Sequence, residues 1–391
     1  MKFSEIKTDE LGTRDIHNSL KIGAGSYINA GQVIIGKDCV IGDNVTIDVD
    51  VTFELGALSY IGDNVTIKCT NFSADEWLYM TSRVEVGRGG CNGPNSNVKI
   101  GKHVGIFEGT ILNPSDSITI GDNVGIGAEV MIWTHGAWLD ITQGFPSDFG
   151  PVTIGDNVWL PARCIVLPNT SIGNDVVIGI NSVINRPIPS GAFAAGSPCK
   201  VIKENVYPVQ VTSGETEAML RTIIVDWVKL AKHKGITGGQ FRVIASENVE
   251  LMYDGLTTLY NVYNKTMTGE SSDVSEDFRD YLRRRGIKIY TDKPSSYIMG
   301  HIFGLKEAHE HDAIQDIMGR LDFDKFDSAH VIMTAIRICA VRESFNEVHH
   351  NIVIGEKQSH PDNWNDFLQR GIARLKELDV DDLDGMLVGL I

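Results

Sequence analysis

The pentapeptide Ile120-Gly121-Asp122-Asn123-Val124 decides the fold, because the same five residues recur at 41–45, 61–65 and 154–158. Looser six-residue units fill the chain between these copies: IGAGSY from Ile22, IGKHVG from Ile100, IGAEVM from Ile126 and IGNDVV from Ile172. In each unit an aliphatic residue stands first, a Gly or small polar residue second, and a small or β-branched residue fifth. One aliphatic residue per short fixed period marks a parallel β-solenoid, in which each rung buries its inward residues only against its neighbours. Six is the wrong period for a helix. Three units make one triangular coil, and the Gly, Asp and Asn residues supply its corners because they tolerate turn geometry.

Outward from these units, coils are expected over about 20–68, again from Ile100, and finally over about 152–184. The pattern breaks at 71–96, where NFSADEWLYMTSRVEVGRGGCNGPNS reads as an excursion carrying a strand near 82–86. It pauses again at 135–150, and the segment 186–203 is expected to leave the solenoid. After about Val211 the hexads vanish and helical periodicity begins. Ser213 is expected to cap a helix to about Lys234, with Leu220, Ile223, Ile224, Trp227, Val228 and Ala231 on one face. Strands follow at 241–245, 249–253 and 256–262, then a helix at about 275–285 leading into a strand KIYT. Further helices fit 306–320, 329–343 and 364–378. The domains are therefore expected at 1–212 for the solenoid and 213–391 for a smaller α+β domain.

Composition narrows the function. A chain of 391 residues holds two domains. Its formal charge of −16 argues against nucleic acid, whose phosphates need a basic surface. Six scattered cysteines without a CxxC pair support buried thiols rather than disulfides or a zinc knuckle. No apolar run approaches the roughly 20 residues of a membrane span, and the charged start MKFSEIKTDELG lacks a signal-like core, so the expected location is cytoplasmic.

The segment from Gly127 to Lys203 carries the chemistry. It resembles the hexapeptide-repeat acyltransferases, and within them the galactoside, maltose and xenobiotic acetyltransferase branch. There a His heads a loop leaving one coil, the loop returns at a phrase like PVTIGDNVW, and the solenoid ends on AAGxPxK; here these are His135, residues 151–159 and residues 194–200. The resemblance implies a left-handed parallel β-helix, a homotrimer with sites between subunits, and acetyl-CoA as donor. His135 becomes the general base, since imidazole titrates near neutral pH and the attacking hydroxyl must lose a proton. Its other ring nitrogen needs an acceptor, a carbonyl or a carboxylate. Glu108, Asn113, Asp116 and Trp133 are expected acceptor contacts. The resemblance puts Ala162 and Gly179 under the pantetheine arm, with the Ala162 amide as donor to the oxyanion, because Pro161 has no N–H. Ser197, Lys200 and Lys203 would meet cofactor phosphates, and Arg186 stands where relatives often have Lys. Departures occur at Asn169-Thr170-Ser171 and at Ile180-Asn181, bulkier than the family's residues.

The reading is a coenzyme A-dependent acyltransferase, with acetyl as the expected group and the chain length left open, acting on a hydroxyl of a sugar or saccharide. N-acylation of a nucleotide-linked amino sugar, or a trimeric scaffold without catalysis, are the alternatives. No metal is expected: His103 and His135 are two imidazoles where a three-His zinc site needs a third, and His17 precedes the repeats. The pairs His309/His311 and His349/His350 read as solvated. The second domain shows no trusted nucleophile or phosphate loop.

Overall fold

The computed structural model describes residues 5–7, 14–87, 89, 93–236, 238–244 and 247–291. Residues 14–203 form a parallel β-solenoid of about nine turns. Its first face stacks short parallel strands from Lys21–Ile22 up to Phe193–Ala195. The second face includes Ile111–Asn113 and Met131–Trp133, and the third includes Ile118–Ile120 and Val152–Ile154. In the early coils the second and third faces run as single bent strands, Tyr27–Ile35, Thr46–Leu55 and Thr66–Ala74.

Each letter of IGDNV has a physical task. Ile and Val point inward and are buried, as at Ile41, Val45, Ile61 and Val65. The Asn holds the left-handed corner, with φ of 55° at Asn44, 57° at Asn64, 58° at Asn123 and 56° at Asn157, a region Asn tolerates better than most residues. The Asp reaches back one coil. Asp63 Oδ1 accepts from the Asp43 N–H at 2.7 Å, Asp122 Oδ1 from Lys102 N–H at 2.7 Å, and Asp156 Oδ1 from Asp122 N–H at 2.8 Å. Asn174 continues the ladder on Asp156 N–H at 2.9 Å. The Gly makes room for that carboxylate: a Cβ on Gly121 would lie 2.3 Å from Asp156 Oδ1.

The expected excursion at 71–96 is too long. Phe72, Leu78 and Val84, six residues apart, are fully buried, and Tyr79–Met80 and Glu85–Val86 pair in register with their neighbours. The coil continues without the Gly-Asp signature, its corners being Trp77 at φ 66° and Arg83 at φ 59°. The coil is followed through Gly87, and strand pairing on the solenoid is seen again at Asn97–Ile100. The segment 186–203 likewise stays on the solenoid: Phe193–Ala195 adds a parallel strand, then Lys200–Lys203 turns back antiparallel on it. Cys39, Cys69, Cys164 and Cys199 are buried free thiols, burial pushing Cys39 up to about 11; Cys91 and Cys339 lie outside the described residues.

Beyond the solenoid a second core forms around Trp227, Tyr260 and Phe278. Helix α1 (Ser213–His233) is capped by Thr212, one residue before the expected Ser213, because Glu215 completes a capping box with it. Four antiparallel strands follow, Gln240–Ile244, Asn248–Tyr253, Leu256–Asn261 and Thr266–Gly269, the last unforeseen because Thr-Met-Thr-Gly is short and mostly exposed. Helix α2 (Asp273–Arg284) is capped by Ser272. KIYT makes no strand, only one bridge between Tyr290 and Thr266. The expected helices from 306 onward, and the His pairs at 309/311 and 349/350, lie outside the described residues.

If the ladder holds the coils, Gly121→Ala should destabilise the solenoid by about 1–3 kcal/mol, because the new Cβ would meet both the hydrogen-bonded Asp156 carboxylate and the Gly155 backbone. Gly136→Ala, with open space at its Cβ, should change little. Equal melting-temperature shifts for the two variants would remove the carboxylate from the explanation.

Candidate functional site

His135 opens an arm that leaves the corner between the second and third faces. His135–Ala137 pairs antiparallel with Ser147–Phe149, and a 3-10 turn at Ile141–Gln143 makes the tip, capped by Asp140. Hydrogen bonds from the Thr142 hydroxyl and amide hold the Asp140 carboxyl below its ordinary range. Gly150 N–H returns to Thr134 O at 3.0 Å, closing the base of the arm. The next coil clamps it: Asn169 Nδ2 donates to Asp148 Oδ1 at 2.7 Å and to Phe149 O at 3.3 Å. Asn169, flagged only as a departure from the family phrase, thus anchors the loop that carries His135.

The imidazole is half-buried, with Phe149 stacked at 5.7 Å and the edge of Trp133 at 5.9 Å. Its Nδ1 meets Ser115 Oγ at 2.9 Å, and that hydroxyl donates to Asn113 Oδ1 at 3.2 Å. A hydroxyl has one proton. With it given to Asn113, Ser115 accepts from Nδ1–H, and Nε2 keeps its lone pair. The orienting group is therefore a serine hydroxyl, not the carbonyl or carboxylate expected. Sequence reasoning missed Ser115 because a Ser in NPSDS at a corner reads as solvated.

Asn113 is fully buried beneath this relay rather than facing outward. Asp116 is half-buried; its Oδ1 accepts from Ser117 N–H at 2.6 Å and its own N–H donates to Thr134 Oγ1 at 2.8 Å. Arg186 is exposed at the same corner, two coils on. The other expected residues lie at the corner between the first and second faces. Glu108 is paired with Arg83 there. Ala162 follows Trp159–Leu160; its carbonyl accepts from Asn181 N–H at 3.1 Å, and its own N–H makes no hydrogen bond among the described residues. Gly179 packs so closely that a Cβ would lie 2.6 Å from Ala195 Cβ. Ser197, Lys200 and Lys203 are exposed just beyond. One chain therefore divides the expected site between two corners, with the second face between them.

Residues 151–186 match the family model of the bacterial transferase hexapeptide (six repeats), and residues 32–69 that of the hexapeptide repeat of succinyl-transferase. The chain is similar to galactoside O-acetyltransferase of Escherichia coli (strain K12), 36% identical over 112 residues, 28% of this chain and 55% of that protein. In these coils the chain resembles the hexapeptide-repeat acetyltransferases of the galactoside and maltose branch. The chain spans about half the length of the curated relatives it matches. Among solved structures, a maltose O-acetyltransferase from Clostridium difficile 630 is 29% identical, covering 38% of this chain and 69% of that one with a TM-score of 0.24. A galactoside acetyltransferase in complex with coenzyme A is 27% identical over 36% and 70%, also with a TM-score of 0.24. Among the described residues, no cluster of three metal-binding side chains and no helix long and apolar enough to cross a membrane occurs in this hexapeptide-repeat chain.

The relay predicts a single tautomer. Nitrogen NMR of His135 at neutral pH should show the proton on Nδ1, and Ser115→Ala should give a mixture of tautomers. A proton on Nε2 in the wild type would reverse the assignment.

Proposed function

We propose that the chain is an acetyl-CoA-dependent O-acetyltransferase acting on a hydroxyl of a sugar or saccharide, with His135 as general base. The observation that carries this reading is the Asn113–Ser115–His135 row of hydrogen bonds at the root of the arm, which anchors the ring through Nδ1 and leaves Nε2 on the side away from that anchor. A relative 36% identical over 112 residues is named a galactoside O-acetyltransferase, which supports this reading.

The donor supplies an activated thioester carbonyl. The Ala162 corner fits it, since a turn N–H without an internal partner there is suited to stabilise a developing oxyanion, a contribution of about a hundred- to a thousand-fold in rate. His135 Nε2 takes the proton of the attacking hydroxyl, and the imidazolium returns it to the departing sulfur, so that no net charge remains on the enzyme. Trp133 and Asp116, beside His135, are placed to touch the acceptor, and Glu108 belongs with the Ala162 corner. Arg186, Ser197, Lys200 and Lys203 are exposed cations and a hydroxyl for the donor's phosphates.

Two corners must meet for this chemistry, which makes a homotrimer part of the proposal. The arm supports it: Trp138 is 96% exposed, and Leu139, Ile141 and Phe145 stand beside it in solvent, an apolar tip suited to rest on a second copy. The domain division at 212/213 belongs to the same proposal, with the solenoid catalysing and the α+β portion serving assembly or acceptor choice.

His135→Ala should lower turnover of acetyl-CoA with a saccharide panel by about a hundred- to ten-thousand-fold while acetyl-CoA still binds by calorimetry. Near-normal turnover would remove His135 from the chemistry. Loss of binding would place it in the donor site instead.

A further inference from the structure

A second cleft lies on the first face, away from the His135 corner. The outward residues of that face run in register as Tyr60, Tyr79, Gly105, Gly125, Trp159 and Val177. Two successive glycines interrupt a column of large side chains. Three strand spacings separate Tyr79 from Trp159, about 14 Å, and over the two glycines between them only the rings of Phe107 and Trp159 approach, Phe107 Cε2 lying 3.2 Å from where a Gly105 Cβ would stand. Phe107 stands edge-on to Tyr79 at 6.1 Å, and Trp159 is 57% exposed. The result is a slot with aromatic walls.

The end of α2 and residues 286–290 roof this slot and enclose about 630 Å³. The roof is held in place. Lys288 Nζ donates to His103 O at 3.0 Å and to Asn123 Oδ1 at 2.5 Å, and Tyr290 stacks on His103 at 3.7 Å. Arg283 sits over the Tyr79 ring at 5.9 Å. Among the lining residues are four cations, Arg279, Arg283, Arg284 and Lys288, and one carboxylate, Asp280. Burial and the neighbouring Lys288 push His103 down to about 4, so it adds no charge at neutral pH. Arg279 is paired with Glu276 at 2.7 Å, and Arg283, Arg284 and Lys288 against Asp280 leave net +2 at the cleft of a chain of net −16, which selects an anion.

The remaining chemistry chooses among anions. The amides and the carboxylate that could read sugar hydroxyls are occupied: Asn123 Nδ2 donates to Asn157 Oδ1 at 2.8 Å, Asn157 Nδ2 to Asp175 Oδ1 at 2.9 Å, and Asp280 holds both Arg283 and Arg284. What the cleft presents is ring faces and guanidinium edges, Arg284 being about half exposed. Aromatic faces take any planar base, and guanidinium groups take phosphate. We propose that this cleft is a binding site for a nucleoside diphosphate. It is independent of the acyl-transfer reading, because neither His135 nor Ala162 lines it.

Calorimetric titration of the full chain with ADP, UDP, pyrophosphate and a galacturonate trimer tests it. The expected result is binding of ADP and UDP, pyrophosphate weaker by about tenfold or more for want of a base, and a similar loss for ADP in Trp159→Ala and Arg284→Ala. Gly125→Val, which fills the slot, should abolish binding, with thermal unfolding showing that the variant folds. Trp159→Ala and Arg284→Ala change exposed side chains and keep the test decisive if Gly125→Val does not fold. Three results overturn the proposal: no diphosphate binding at millimolar concentration, unchanged affinity in Trp159→Ala and Arg284→Ala (a diphosphate held elsewhere), or preference for the galacturonate trimer.

Discussion

The structure depends on a carboxylate that bonds to the coil before its own. Backbone ladders hold any parallel solenoid together, but they do not choose where each coil turns. In this chain the Asp of one hexad accepts from the amide of the previous coil, as Asp156 does from Asp122, and the Asn beside it takes the left-handed corner. Register, corner and coil length are thereby set by neighbouring residues. The cost is a residue without a side chain at the second position, because a Cβ would meet the carboxylate. Gly, Asp and Asn therefore travel together, and the buried Ile and Val follow from the pleat.

A corner fixed this firmly is a platform for irregular chain. The arm of 135–150 leaves one corner and is tied back by Thr134 O and by Asn169 from the following coil. The imidazole at its root is therefore oriented by the scaffold rather than by the arm alone, through Ser115 and the buried Asn113. The same regularity keeps the residues of the proposed reaction apart, since His135 and Ala162 stand at opposite edges of the second face. On the first face it aligns Gly105 with Gly125 and opens the slot roofed by α2.

Much of this was legible in the residues. The hexads name the solenoid, and the loop headed by His135 stands out because the aliphatic period stops there. The coil at 71–86 escaped notice because Trp77 and Arg83 occupy corners where Asn is usual, so that only the buried Phe72, Leu78 and Val84 kept the period. Ser115 and Asn169 were invisible for a different reason. Each acts through a partner 20 or 21 residues away, and a polar residue at a turn carries no local mark of such a bond. The cleft was hidden too, since Gly105 and Gly125 read as ordinary hexad residues until their register placed them between Tyr79 and Trp159.

Subunit complementation tests most directly whether the divided corners form one site. His135→Ala removes the base and Ala162→Pro removes the amide donor, and each variant alone should be inactive. Mixed and reassembled, the two should regain acetyltransferase activity, because the His135 corner of one copy meets the Ala162 corner of another. Mixtures that stay inactive at every ratio, while hetero-oligomers are shown to form, would contradict a site built between copies.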